Sequence, residues 1–137
     1  VKARPKTIQH VVFQTPDVEK GWAFYRDRLH FKLSDVQKGF GIFGRASGAH
    51  DHHNIYFLNA NLPFKGPDVW GMDGQIRFDH VNYGVDDVDE VMVGANHMQR
   101  KGWPKSAWGL GRHRIASSLF MYLPCPTGGQ AEYGADS

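Results

Sequence analysis

The sequence predicts an α+β fold of two βαβββ modules packed about a pseudo-twofold axis, strands curling around a shared cavity and helices outside. Three observations predict it. The first is a repeat. At an offset of 70 residues His10 matches His80, Val11 matches Val81, Phe13 matches Tyr83, Asp17 matches Asp87, Val18 matches Val88 and Glu19 matches Asp89. Matches in one register, with one order of elements, mark an internal duplication. The second is that each half opens on a β-branched and aromatic run and passes directly into a helical apolar stripe. The third is that three short apolar runs punctuated by glycine and proline follow each helix.

Ile8 to Phe13 reads as the first strand. Thr15 is the expected N-cap of the helix that follows, with Pro16 at its first position. Val18, Trp22, Tyr25 and Leu29 then form one apolar stripe. Phe31–Val36, Phe40–Phe43 and His53–Leu58 are the next strands, with Gly39, Gly41, Gly44 and Gly48 placed as hairpin turns would need them. Asn59 to Gln75 has no periodicity and reads as a linker. The pattern restarts at Ile76–Tyr83. The second helix carries Val88, Val91 with Met92, Ala95 and Met98, and stops near Gly102-Trp103-Pro104. Trp108–His113, Ser118–Leu123 and Gln130–Gly134 complete the second half. The strands of each half are expected to curl antiparallel around a groove, with the helix on the outer apolar face.

A length of 137 residues fits a single domain spanning 1–137, with module one at about 6–60, a linker at about 61–75 and module two at about 76–134. The 41% hydrophobic and 22% charged shares are ordinary for a soluble chain. No apolar run approaches a membrane span, and no apolar segment follows the basic start to make a secretory signal. The single cysteine, Cys125, excludes an internal disulfide framework and suits a reducing cytoplasm. A net charge of +2 with scattered cations gives no nucleic-acid footprint. Eight histidines are the one compositional excess, and imidazole is the commonest metal ligand.

Alternation along a strand puts His10 on a face with Ile8 and Val12, opposite Val11 and Phe13, and His80 takes the same place in its own half. If the halves pack about a pseudo-twofold, the two histidines converge on one cavity. Glu132, on the last strand, is the carboxylate best placed to complete a set. Two imidazoles and one carboxylate leave open positions on a metal, the arrangement suited to non-haem iron(II) oxygen chemistry.

These residues carry a resemblance. His52-His53-Asn54-Ile55-Tyr56-Phe57, Phe78-Asp79-His80, Gly111-Arg112-His113 and Pro126-Thr127-Gly128-Gly129-Gln130-Ala131-Glu132-Tyr133-Gly134 resemble the vicinal oxygen chelate superfamily, and within it the type I extradiol ring-cleaving dioxygenases. The similarity runs from His10 to the end of the chain. It implies that His10, His80 and Glu132 are ligands of iron(II), with manganese(II) as second choice. It implies that His53 is the acid/base residue, that His113 hydrogen-bonds a substrate hydroxyl or a reaction intermediate, and that Tyr122 bonds a metal-bound substrate oxygen. The substrates would be a catechol, chelating through both oxygens, and O2. Imidazole titrates near neutrality, so His53 suits both the loss of a catechol proton and its later return. Where many relatives place Asn and Asp after Gly-Arg-His, this chain has Ile115 and Ala116, an apolar lining that leans towards an apolar or aryl-substituted catechol. Relatives also carry a further N-terminal module and a longer tail, so the sequence reads as a compact member or a catalytic segment.

Other residues are expected to do less. His52 supports His53; His50 and Asp51 are solvated; His30 and His97 have no role. Cys125 is structural or incidental. Trp70, Trp103 and Trp108 either line an aromatic pocket or pack loops. Three rivals share the scaffold, one of them a metal-dependent resistance transferase, which would want a cationic phosphonate site and not a histidine pair. A glyoxalase-like lyase or isomerase would use a second carboxylate near the end of the fourth strand of the first half, where Ile55–Ala60 has none. A metal-free, drug-sequestering protein would need no ligand triad. Exposed sheet edges suggest a homo-oligomer, and neither nucleic acid nor membrane is an expected partner.

Overall fold

The computed structural model describes residues 2–63, 71–104 and 108–136. Its elements run β1 (Thr7–Thr15), α1 (Val18–Leu29), β2 (Lys32–Gln37), β3 (Gly41–Arg45), β4 (Ile55–Asn59), β5 (Arg77–Gly84), α2 (Val88–Arg100), β6 (Trp108–Arg112), β7 (Leu119–Pro124) and β8 (Gln130–Ala135). Among the described residues the order is strand, helix and three strands, twice, the mixed α+β architecture that the repeat predicts. The chain divides into two compact units, Val1–Gln9 with His80–Ser137, and His10–Asp79. No helix among the described residues is long and apolar enough to cross a membrane.

In the unit His10–Asp79, β3 pairs antiparallel with both β2 and β4, while β4 pairs parallel with β1. The other unit repeats this: β7 pairs antiparallel with β6 and β8, and β8 pairs parallel with β5. The expectation of purely antiparallel strands is therefore corrected. Each helix returns the chain so that the next strand runs in the first strand's direction. Two hairpins later the closing strand runs that way too, and it lies beside the first.

Both helices are started by aspartates. Asp17 accepts the Lys20 N–H at 3.0 Å, and Thr15 Oγ1 instead accepts the Asp17 N–H at 3.2 Å. Thr15 is still the last residue of β1, so the cap moves two residues on and Pro16 falls before the helix. Asp87, matched to Asp17 by the repeat, accepts the Glu90 N–H at 3.0 Å, and the Glu90 carboxylate reaches back to the Asp86 N–H. Such caps satisfy donors that a helix start leaves without partners.

The stripes are narrower than the sequence suggests. From α1, Trp22 enters a core with Ile42, Ile55 and Phe57, flanked by Val18, Tyr25, Val11 and Phe13, while Leu29 stays exposed. From α2, Val91 joins Val85 and Ala135, with Leu119, Met121 and Tyr133 packed around them; Val88 and Met92 are exposed. Of the expected turn glycines, Gly39 and Gly48 do take positive φ, 77° and 85°. Gly41 and Gly44 lie inside β3. A Cβ on Gly44 would fall 2.5 Å from Trp22 Cζ3, so this glycine lets α1 settle onto the sheet. The described ends of the linker are ordered by contacts: Met72 is buried and its N–H donates to Gln14 Oε1 at 3.0 Å. Gly44→Ala should cost about 1–3 kcal/mol, because the buried indole has no room to retreat. An unchanged urea midpoint would show that α1 does not depend on this contact.

Candidate active site

In the unit Val1–Gln9 with His80–Ser137, the parallel register sets the site. His80 lies opposite Gln130, and Asn82 opposite Glu132. Alternation then puts His80, Asn82, Gln130 and Glu132 on the face away from α2, all four buried. His80 Nε2 is 3.1 Å from Glu132 Oε1, with side-chain exposures of 8% and 1%. β7 adds Tyr122 directly beside Glu132, its ring edge-on to His80 at 5.0 Å. His113 follows β6, and its N–H donates to Ser118 O at 2.9 Å to close a turn. Its Nε2 stands 3.2 Å from Glu132 Oε2 and 3.2 Å from the Tyr122 hydroxyl. An ionised carboxylate only accepts, so Nε2 carries the proton that faces Glu132. The resemblance gives His113 and Tyr122 to the substrate; here His113 bonds with both Tyr122 and Glu132. Phe120 stacks on His113 at 3.9 Å, and Trp108 lies parallel to Tyr122 at 5.3 Å. A buried carboxylate gripped by imidazoles is costly as a fold element and is the usual donor chemistry of a divalent metal.

In the unit His10–Asp79, alternation buries His10, Val12 and Gln14 on the face away from α1. His53 comes from the loop before β4, and its ring packs on His10 at 4.4 Å and on Phe43 at 4.7 Å. Asn54 holds that loop, donating its N–H to Gly44 O at 2.9 Å and accepting the Ala46 N–H at 2.8 Å. His52 Nδ1 is 2.9 Å from His53 Nδ1, and its Nε2 is 3.5 Å from Asp35 Oδ2. His52 thus lies in contact with both His53 and Asp35.

The register also answers the second-carboxylate question. Val12 is the counterpart of Asn82 in the repeat, and Val12 pairs with Tyr56 as Asn82 pairs with Glu132. Tyr56 therefore stands where the first half would carry a second carboxylate. Its hydroxyl donates to Gln37 Oε1 at 2.7 Å, its ring stacks on Phe43 at 4.0 Å, and burial pushes its phenol well above the usual range.

Sequence reasoning gave no role to Asp35, Tyr56 or Phe43; Tyr56 stands in the histidine-pair motif without one, and only the strand register puts Asp35 and Tyr56 beside Phe43. Of the tryptophans, Trp108 joins the face of His80, whereas Trp103 lines a cavity of about 350 Å³ on the helix side with Met98, Tyr83 and Cys125. Burial pushes the Cys125 thiol up, away from reactivity. Trp70 lies outside the described residues.

A family model described as Glyoxalase/Bleomycin resistance protein/Dioxygenase superfamily matches residues 7–106. Metapyrocatechase 2 of Cupriavidus necator is 33% identical over 132 residues, which cover 96% of this chain and 37% of that protein. A biphenyl-2,3-diol 1,2-dioxygenase of Metapseudomonas furukawaii is 30% identical over 127 residues, covering 93% and 39%. The Mn(II)-bound glyoxalase from Novosphingobium aromaticivorans superposes with a TM-score of 0.79 at 31% identity, over 98% of this chain and 39% of that one. The chain spans less than half the length of these relatives.

Glu132→Gln keeps the shape while removing a buried charge; its carbonyl can accept from one imidazole, and its amide NH2 can donate to the other once that ring moves its proton to Nδ1. The metal-free variant should therefore melt at the same temperature as the parent or higher. A melting temperature lowered by several degrees would assign the carboxylate to the fold instead.

Proposed function

The chain belongs to the Glyoxalase/Bleomycin resistance protein/Dioxygenase superfamily, and on that premise we propose that it is the metal-binding part of an extradiol dioxygenase, cleaving a catechol ring with O2 next to the diol. The observation that carries this reading is the buried His80–Glu132 pair, in strand register, with Tyr122 and His113 on the same face. His10, His80 and Glu132, all buried, would together hold one ion, two imidazole nitrogens and one carboxylate oxygen. We assign it as iron(II), with manganese(II) second. Held by these residues, iron(II) would supply the redox chemistry that joins O2 to a catechol ring.

The remaining steps belong to side chains. The His53 imidazole accepts a catechol proton and returns it when the O–O bond breaks. Tyr122 and His113, which share one hydrogen bond in the structure, orient the substrate oxygens. Trp108, Phe120, Ile115 and Ala116 favour a catechol with an apolar or aryl substituent. Relatives named for catechol and biphenyl-2,3-diol chemistry support the substrate class. Tyr56, in the position matched to Glu132, argues against a lyase or isomerase using a second carboxylate. A metal-free sequestering role leaves the buried His80–Glu132 pair without a purpose. Exposed Leu33 and Val36 on β2, with Trp108 and Leu110 on β6, favour self-association.

Loading with iron(II) without air, followed by air and catechol, 3-methylcatechol or 2,3-dihydroxybiphenyl, tests the reading. A yellow ring-fission product with matching O2 uptake is expected; failure to bind iron at all would favour the sequestering protein. His80→Ala should lose iron and turnover together, so an active, fully loaded variant would remove it from the ligand set. His53→Phe should keep its iron and lose about a hundredfold or more in kcat.

A further inference from the structure

His80, Asn82, Gln130 and Glu132 form a four-residue patch on the face of β5 and β8 away from α2, two side chains from each strand. One diagonal is bonded, His80 Nε2 meeting Glu132 Oε1 at 3.1 Å. The other is not. Asn82 and Gln130 are each 2% exposed, and no described residue donates to Asn82 Oδ1 or to Gln130 Oε1. A buried amide oxygen without a donor loses its water on folding and gains nothing in return, so two in one patch burden the fold.

The other half shows that the scaffold does not require them. By the offset of 70, Val12 stands where Asn82 stands. Val11 pairs with Ile55, so Asn54, one step earlier, is to His10 what Gln130 is to His80. Val12 has no polar group to satisfy, and Asn54 Oδ1 accepts the Ala46 N–H at 2.8 Å. At these matched positions, open acceptors occur in the half that carries Glu132. Space is kept for one of them: the Asn82 amide lies over Gly134, where an added Cβ would fall 2.4 Å from Nδ2 and 3.0 Å from Oδ1. That row runs on to Phe120, which pairs with Gly134 and stacks on His113 at 3.9 Å. Gln130 stands at the other end of the patch, beside His80 and opposite Pro124.

We infer that Asn82 and Gln130 are ligand-binding residues, whose amide oxygens accept hydrogen bonds from hydroxyl groups of the molecule taken up beside His80 and Glu132. A neutral amide oxygen holds a hydroxyl hydrogen without taking it, as an imidazole could. Water and a catechol offer the same hydroxyl chemistry. The diol is the occupant we assign, and that assignment rests on the proposed dioxygenase activity.

Asn82→Val copies the first half, and Gln130→Met keeps the shape without the amide. Each relieves the fold of an unmet acceptor, so each metal-free variant should melt about 3 °C or more above the parent. A melting temperature at or below the parent's, or a chain that no longer folds, would make the amides structural and overturn the inference. The second readout is titration of the iron-loaded full chain with 2,3-dihydroxybiphenyl in the absence of air. Each variant should retain iron as fully as the parent and bind the diol about threefold to tenfold more weakly. A variant that melts higher yet binds the diol unchanged has an amide met by water alone, which overturns the assignment for that residue. A parent that loads iron but binds no diol would instead sink the dioxygenase reading, and the diol with it, while the melting temperatures still judge whether the amides serve the fold.

Discussion

The site hangs on the parallel pairing of the first and last strands of each half. Because β8 runs beside β5 with Asn82 opposite Glu132, the carboxylate and His80 share a face and sit one step apart. A slip of one residue would turn Glu132 into the apolar layer under α2 and bring Tyr133 in its place. Several side chains guard this register. Gly134 leaves room for Asn82, whose amide nitrogen would lie 2.4 Å from an added Cβ. Val91 and Ala135 fill the other face, so the strand cannot shift without exposing apolar surface. The helices thus act at a distance from the chemistry, by making one strand register the only well-packed one.

The sequence made the duplication, the element order and the paired histidines legible because these rest on spacing alone. Pairing direction was not legible, since it depends on where the closing strand docks rather than on its composition. Caps were partly so: Asp17 and Asp87 repeat at the offset of 70, but Thr15 offers the same chemistry two residues earlier, and only the end of β1 decides between them. Gly41 and Gly44 read as turns, yet they serve close approach inside β3. Asp35 was invisible. Its face is set by one inserted residue, and nothing in Leu33-Ser34-Asp35-Val36 announces a bulge. His52, by contrast, drew notice through its neighbour in the histidine pair.

The two halves show what duplication preserves and what it releases. The histidine on the opening strand is kept in both, as are the aspartate cap and the helix. The closing strands have parted: Glu132 in one half, Tyr56 in the other, at matched register. Burial, with a lesser push from Asp79, raises the Tyr56 phenol above its ordinary range, so it stays neutral and donates to Gln37. A neutral phenol is a poor replacement for a carboxylate on a divalent cation, so the first half cannot supply an anion from that position. What it carries instead is the His52–His53 pair, beside an aromatic wall of Phe43 and Tyr56. One half keeps a buried carboxylate at this register position, and the other a neutral phenol. That difference lies at a single matched register position, Tyr56 in one half and Glu132 in the other.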